Sequence, residues 1–284
     1  MYIQPEKMSF PIILNSNNYV SNNTYRIDLP TMTDLSSFEC SLGSLQIYNS
    51  WYNISPALNN QNFTLTMPSN ATLNITIPAG AYQISDLNSY IQFRLIQAGY
   101  YITNTVSGQN TYYCNLQVSP TTYSIQFITY PIPTSLPAGF TSGGMTFPGS
   151  ANQHMQLTIL STNNLKDIFG YNVGTYPAVA TNVGTQTKDS DYIPNVSPIS
   201  AIQMRLSCLS NPFSSNNQLL HVFTTQGVGV GQSLNASPNY EQFVPCNGSH
   251  QSLTISFYDQ LGRVVEILDK NLVIKLVFRQ RINL

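Results

Sequence analysis

The 284-residue sequence predicts an all-β fold: an antiparallel β-sandwich interrupted by an inserted segment that contains a short α-helix. Three observations carry this expectation. Apolar residues recur at every second position in a series of short runs, and clusters of Asn, Pro and Gly separate those runs. A single long window departs from this period toward the spacing of a helix.

Taken in order, Phe38, Cys40 and Leu42 alternate with polar residues, and Gly43 admits a bulge before Leu45 and Ile47 resume the pattern. Phe63, Leu65 and Met67 form the next strand, followed by Leu73, Ile75 and Ile77. The window "ISDLNSYIQFRLIQAG" (84–99) places Ile84, Leu87, Ile91 and Leu95 on one helical face. There Ser85 is the expected N-cap, Asp86 suits the positive end of the dipole, and Gly99 stands where a helix stops. Tyr123, Ile125 and Phe127 return to the strand period. The Pro/Gly-rich "PIPTSLPAGFTSGGMTFPGS" (131–150) predicts a loop without regular structure. "NNLKDIFGY" (163–171) predicts a short helical turn, and 172–199 a second irregular stretch around "KDSDY". Ile202, Met204, Leu206 and Cys208 form a strand. Leu253, Ile255 and Phe257 lead into "YDQLGR", where Gly262 suits a hairpin turn to a strand over Val264–Leu268. Leu272, Ile274, Leu276 and Phe278 close the chain.

Charge is the informative part of the composition. Charged residues make up 8% of the chain, against about 25% in ordinary globular proteins. Asn, Ser, Thr, Gln and Tyr take their place, and asparagine alone accounts for about a tenth of the residues. The net charge of −1 argues against general attraction to nucleic acid or to membrane surfaces. Between Cys40 and Leu165 the charged residues are Asp86 and Arg94, whereas 259–281 hold Asp259, Arg263, Glu266, Asp269, Lys270, Lys275, Arg279 and Arg281. An exposed β surface ordinarily carries Lys and Glu, which also discourage edge pairing. Taking an ion out of water costs several kcal/mol. A partnered amide or hydroxyl roughly breaks even or gains about 1 kcal/mol. A polar but ion-free exterior is therefore expected where much of it is covered by other subunits. AT-rich coding composition is a second contributor to the Asn and Tyr excess, although it would also enrich Lys.

Residues with catalytic or metal-binding chemistry are few and scattered. Cys40, Cys114, Cys208 and Cys246 form no CxxC and are expected to be buried reduced thiols, with a disulfide pair as the alternative. His154, His221 and His250 are isolated from one another, and no HExxH, zinc spacing or GxSxG is present. "GVGVGQS" (227–233) lacks the lysine and the following helix of a phosphate loop, so it predicts a turn. Asp189 and Asp191 predict a solvated acidic loop rather than a cation site. Glu39, Glu241 and Glu266 offer no paired acid and base for glycoside hydrolysis. No catalytic, cofactor-binding or metal-binding residue is assigned, and no enzymatic activity is expected. Trp51 has three readings: core anchor, interface anchor or sugar platform. The opening "MYIQPEKMSFPIILN" has neither a basic n-region nor a long apolar core, so no secretory signal is expected; no apolar run is long enough for a membrane span. The chain is accordingly expected to be soluble, intracellularly made and reduced. The sequons at Asn53, Asn62, Asn70, Asn74 and Asn235 are read as composition.

An ordered set of segments adds a resemblance. "LGSLQIYNSWYNISPALNNQNF", "TIPAGAYQISDLNSYIQFRL", "YSIQF" and "DIFGY" are followed by "VSPISAIQMRLSCLSNP", "NNQLLHVFTTQGVGVGQ" and "VPCNGSHQSLTISFYDQLGRVVEILDKNLVIKLVF". Over roughly 40–278 this series resembles the capsid proteins of virophages and Polinton-like viruses. The resemblance implies a single jelly roll, in 1–78 and 196–284, with an insertion subdomain over 79–195. A chain of this length resembles the penton, the minor capsid protein that fills the fivefold vertex as a homopentamer. The implied partners are its sibling copies and the double-jelly-roll major capsid protein, with a host receptor or glycan as a further candidate. No cofactor, membrane span or specific nucleic acid is implied, and the implied location is the capsid vertex of a virion assembled in the host cytoplasm. The basic tail "FRQRINL" either faces the packaged genome or forms a solvated end. The alternative function is a glycan-binding or host-attachment β-sandwich.

Overall fold

The computed structural model describes residues 8–21, 23–225 and 227–281. The segment read above for a targeting signal lies partly outside them, as do the last three residues of the basic tail. The chain divides into two compact units, Met1–Trp51 with Ile199–Leu284 and Tyr52–Pro198.

The first unit contains eight principal strands: β1 (Ser9–Leu14), β2 (Thr24–Asp34), β3 (Phe38–Tyr48), β4 (Ala201–Leu206), β5 (Leu219–Thr224), β6 (Ser233–Ala236), β7 (Ser249–Asp259) and β8 (Val273–Gln280). They pair antiparallel in two sheets, ordered β1-β8-β3-β6 and β5-β4-β7-β2. Consecutive strands cross repeatedly from one sheet to the other, which is the strand order of a jelly roll. The alternation seen in the sequence becomes an inward face. Cys40, Leu42, Leu45 and Ile47 from β3 join Ile202, Met204 and Leu206 from β4, Leu253, Ile255 and Phe257 from β7, and Ile274, Leu276 and Phe278 from β8. Each such side chain contributes about 1.5–3 kcal/mol on burial.

The bulge expected at Gly43 is present. Ser44 pairs with Lys275 and Leu42 with Leu276, leaving Gly43 as the extra residue. A Cβ at this position would lie 3.2 Å from the Lys275 carbonyl oxygen, so glycine lets the backbones approach. The turn at Gly262 also forms, with Gly262 N donating to the Asp259 carbonyl at 3.0 Å. The strand expected over Val264–Leu268 does not persist. Val264 bridges Tyr258, after which Val265 and Ile267 turn into the core and the segment leaves the ladder.

The second unit occupies the connection between β3 and β4. It begins earlier than the expected residue 79, because Asn62–Thr66 and Thr72–Thr76 pair with each other, and Asn62–Thr66 pairs with Gln156–Ile159, rather than with jelly-roll strands. Helix α1 (Ile84–Ala98) buries Ile84, Leu87, Ile91 and Leu95 as expected and ends on Gly99 at φ 78°. Its N-cap is Gln83, not Ser85. The Asp86 carboxylate reaches back to accept from Gln83 N at 2.8 Å, which fixes the first turn two residues earlier. Helix α2 (Leu165–Phe169) fills the expected second turn. Both expected loops contain short strands. Phe140–Ser142 pairs with Ile102–Asn104, Gly174–Tyr176 with Gln156–Ile159, and Gln186–Asp189 with Ile125–Thr129. Three- and four-residue strands are too short to show a period, so the surrounding Pro and Gly dominated the reading.

Candidate interaction surfaces

The residues with titratable chemistry are dispersed, and most are committed to structure. Among the described residues no three His, Cys, Asp or Glu side chains come together as a metal site. Glu39 accepts from Arg279 Nε at 2.6 Å, while Glu241 and Glu266 lie exposed on separate loops. His154 is buried in the inserted unit with Nδ1 2.9 Å from Thr129 Oγ1. His250 Nε2 lies 2.6 Å from the Asn247 carbonyl oxygen. Asp189 and Asp191 lie exposed, as expected of a solvated acidic loop, and Asp191 is also well partnered. It pairs with Lys188, accepts from Asn172 N at 2.8 Å and from the Tyr176 hydroxyl at 3.2 Å, and these partners hold its carboxyl below the usual range against the opposing effect of desolvation. The glycine-rich segment is a turn tied to the end of β3, with Gly231 N donating to the Asn49 carbonyl at 2.7 Å. Trp51 is buried at 5% exposure within the jelly-roll core, which removes the sugar-platform and interface readings. Arg279 lies over the Phe243 ring, and Arg281 Nε donates to the Phe38 carbonyl at 3.0 Å, so both tail arginines are held within the fold.

Many of the asparagines act inside the molecule. Asn53 alone makes three contacts: Nδ2 donates to the carbonyls of Tyr82 (2.7 Å) and Val196 (2.8 Å), and Oδ1 accepts from Tyr82 N (2.8 Å). Asn60 Nδ2 donates to the Asn53 carbonyl, while its Oδ1 accepts from Ser55 N. Asn163 Nδ2 donates to the Asn62 carbonyl, and its Oδ1 accepts from Leu165 N at the start of α2. An amide offers both donors and an acceptor without the desolvation cost of an ion, so it satisfies loop backbone groups in a unit with short ladders. This internal role accounts for part of the composition that the sequence assigned to contacts between subunits.

The remaining neutral side chains line open surface. In the inserted unit a groove of about 600 Å³ runs between the start of α1 and the strand Cys114–Val118, lined by Gln83, Asn88, Asn115, Gln117 and Val118. Its floor continues as an amide ladder, with Asn115 Nδ2 donating to Gln117 Oε1 and Gln117 Nε2 to Gln126 Oε1, each at 3.1 Å. On the jelly roll a second groove of about 260 Å³ is lined by Asn15, Asn17, Gln46, Tyr48 and Asn271. Neither groove is lined by a charged residue.

These features can be set beside known proteins. No family model matches the chain, and no curated protein matches it. The solved structures to which the chain is similar include two from virophages. The mavirus penton protein has 12% identity over 97% of this chain and 100% of its own, with a TM-score of 0.48. The cryo-EM structure of the Sputnik virophage has 14% identity over 98% of each chain, with a TM-score of 0.44.

Sequence reasoning missed two exposed aromatics and placed a third, Tyr123, in a strand that in fact begins at Ile125. Phe213 in the β4–β5 loop is 98% exposed and Tyr240 in the β6–β7 loop is 82% exposed. Tyr123, 81% exposed, tips the hairpin between Cys114–Val118 and Ile125–Thr129 with a left-handed φ of 54°. Such a backbone costs an aromatic residue about 1–3 kcal/mol. It is held by a Thr122–Ser124 hydroxyl bond of 2.6 Å. A lone aromatic among turn formers is the signal that marks all three.

Proposed function

We propose that the chain is a structural capsid protein: a penton subunit that assembles as a homopentamer at the fivefold vertices of an icosahedral virion and abuts a double-jelly-roll major capsid protein. The observation that carries this reading is the jelly-roll strand order, β1-β8-β3-β6 against β5-β4-β7-β2, with a groove on the same unit lined without charge. The ordered sequence motifs that resemble those of virophage and Polinton-like capsid proteins add to it.

The physical logic is that of a closed ring. Five copies make heterologous contacts, and permanent contacts of this kind bury on the order of 2,000 Å² or more. Amide and hydroxyl surfaces enter such an interface without stranding an ion. In this reading the protein is located in the virion and the particle is assembled in the host cytoplasm.

Native mass spectrometry of the purified chain tests the oligomer, with the expected species at five times the 31.5 kDa chain mass. A reconstruction of the particle tests the position. A protein that stays monomeric at all concentrations and contributes no density on the fivefold axes overturns the reading.

A further inference from the structure

We infer that Cys208 and Cys246 form a site of oxidative cross-linking, closed by a low-molecular-weight disulfide oxidant such as oxidised glutathione. The two thiols belong to loops at the same end of the jelly roll, Cys208 following β4 and Cys246 preceding β7. They are 38 residues apart in the chain, yet their sulfurs lie 3.9 Å apart, with the Cys208 thiol directed at Cys246 Sγ. The backbones beneath them are already fixed side by side. Leu209 bridges Cys246, Asn247 N donates to the Cys208 carbonyl at 2.9 Å, and Ser210 N donates to the Pro245 carbonyl at 2.8 Å. Cys246 N in turn donates to the Phe38 carbonyl at 2.9 Å, and Arg281 closes onto the Cys246 carbonyl. A disulfide requires sulfurs about 2.05 Å apart, so the remaining approach falls to side-chain rotation on a prepared frame.

The other thiols are placed differently. Cys40 lies on β3 opposite Val244, with its sulfur directed at the Ser41 carbonyl, and Cys114 belongs to the inserted unit. Cys40 lies near both members of the pair, and the 3.9 Å approach of the Cys208 and Cys246 sulfurs favours their link over one through Cys40. In the reaction one protein thiolate attacks the oxidant's S–S bond, forming a mixed disulfide and releasing one oxidant thiolate. The second protein thiolate then displaces the other half of the oxidant. Two electrons pass from the cysteine pair to the oxidant, and the two thiol protons end on the two released thiols. Both cysteines are fully buried, so reaction proceeds when the loops open locally. Closing a loop of this length raises the unfolding temperature of the jelly roll by roughly 5–10 °C.

The experiment incubates the full chain with oxidised glutathione, without denaturant, and maps non-reduced peptides after alkylation. The expected product is a Cys208–Cys246 linked peptide with Cys40 and Cys114 still alkylatable, and a raised unfolding temperature that dithiothreitol reverses. The Cys40→Ala variant should cross-link as the parent does, whereas Cys208→Ala should not. A link through Cys40, or glutathione adducts without a protein disulfide, overturns the inference. So does an unreacted pair under conditions that oxidise the unfolded chain.

Discussion

Arg279 on β8 donates through Nε to the Glu39 carboxylate on β3 at 2.6 Å, directly across the ladder, and its guanidinium carbon lies 3.4 Å from the centroid of the Phe243 ring. One side chain thus closes an ion pair and a stacking contact. Arg279→Ala should destabilise the jelly roll by about 1–2 kcal/mol. Glu39→Gln should cost less than about 1 kcal/mol, because the pair is partly solvated. Urea unfolding followed by the fluorescence of Trp51, the chain's one tryptophan, measures both. Equal costs for the two variants would contradict the separate contribution of Phe243.

Two buried tyrosines should respond oppositely to the same substitution. The Tyr171 hydroxyl accepts from Phe127 N at 2.9 Å and lies 2.9 and 2.7 Å from the carbonyl oxygens of Ile125 and Lys188. The Tyr25 hydroxyl, in the jelly-roll core, is buried without a partner. Tyr171→Phe should cost about 1–3 kcal/mol, while Tyr25→Phe should be neutral or stabilising by up to about 1 kcal/mol. Calorimetry of the two variants reads the contrast.

The same residues set an alkaline limit. Burial pushes the Tyr25 phenol up to about 12 and raises Tyr171 as well. Each neutral phenol contributes stability that is complete below the unfolded value near 10. That contribution is lost as pH rises from there toward the folded value, since only the unfolded chain readily releases the proton. Stability should fall between about pH 10 and 12, and Tyr25→Phe should flatten that decline for the jelly roll.

On the acid side, burial lowers the pKa of His154 despite hydrogen bonds that favour its charged form. Its neutral form is therefore preferred in the fold. The stability of the inserted unit should decrease as pH falls below about 6.5, where the unfolded imidazole takes up a proton first. His154→Gln should flatten that slope, even though it lowers the plateau at neutral pH. Hydrogen exchange of the His154 amide, which donates to the Ala180 carbonyl at 2.7 Å, reports the local effect.

Assembly through neutral surfaces should be nearly indifferent to ionic strength. Dissociation constants of the proposed pentamer measured between about 0.05 and 0.5 M salt should agree within a few-fold, since screening acts on charges rather than on amide contacts. A change of a hundredfold would place ion pairs at the interface.

The parts of the fold that were legible in the sequence were those with a long period and a buried face. β3, β7 and β8 each show several alternations, and α1 presents four apolar residues on one stripe. The ladder Asn62–Thr66 with Thr72–Thr76 was visible as strands but not as part of the insert, because alternation reveals that a strand is half-buried and not which sheet it joins. Phe140–Ser142 and Gly174–Tyr176 were hidden by brevity. The surfaces were legible only as missing charge. Which amides bond distant loop carbonyls, as Asn53 does, and which bond neighbouring side chains, as Asn115 does, depends on what folding brings near.

The insertion point in the connection between β3 and β4 carries a consequence for variation in the molecule. Every ladder of the eight-stranded frame is closed by residues up to Trp51 and from Ile199 onward. A change in the length or content of the intervening 147 residues therefore re-registers no frame strand, so the two regions answer to separate folding constraints.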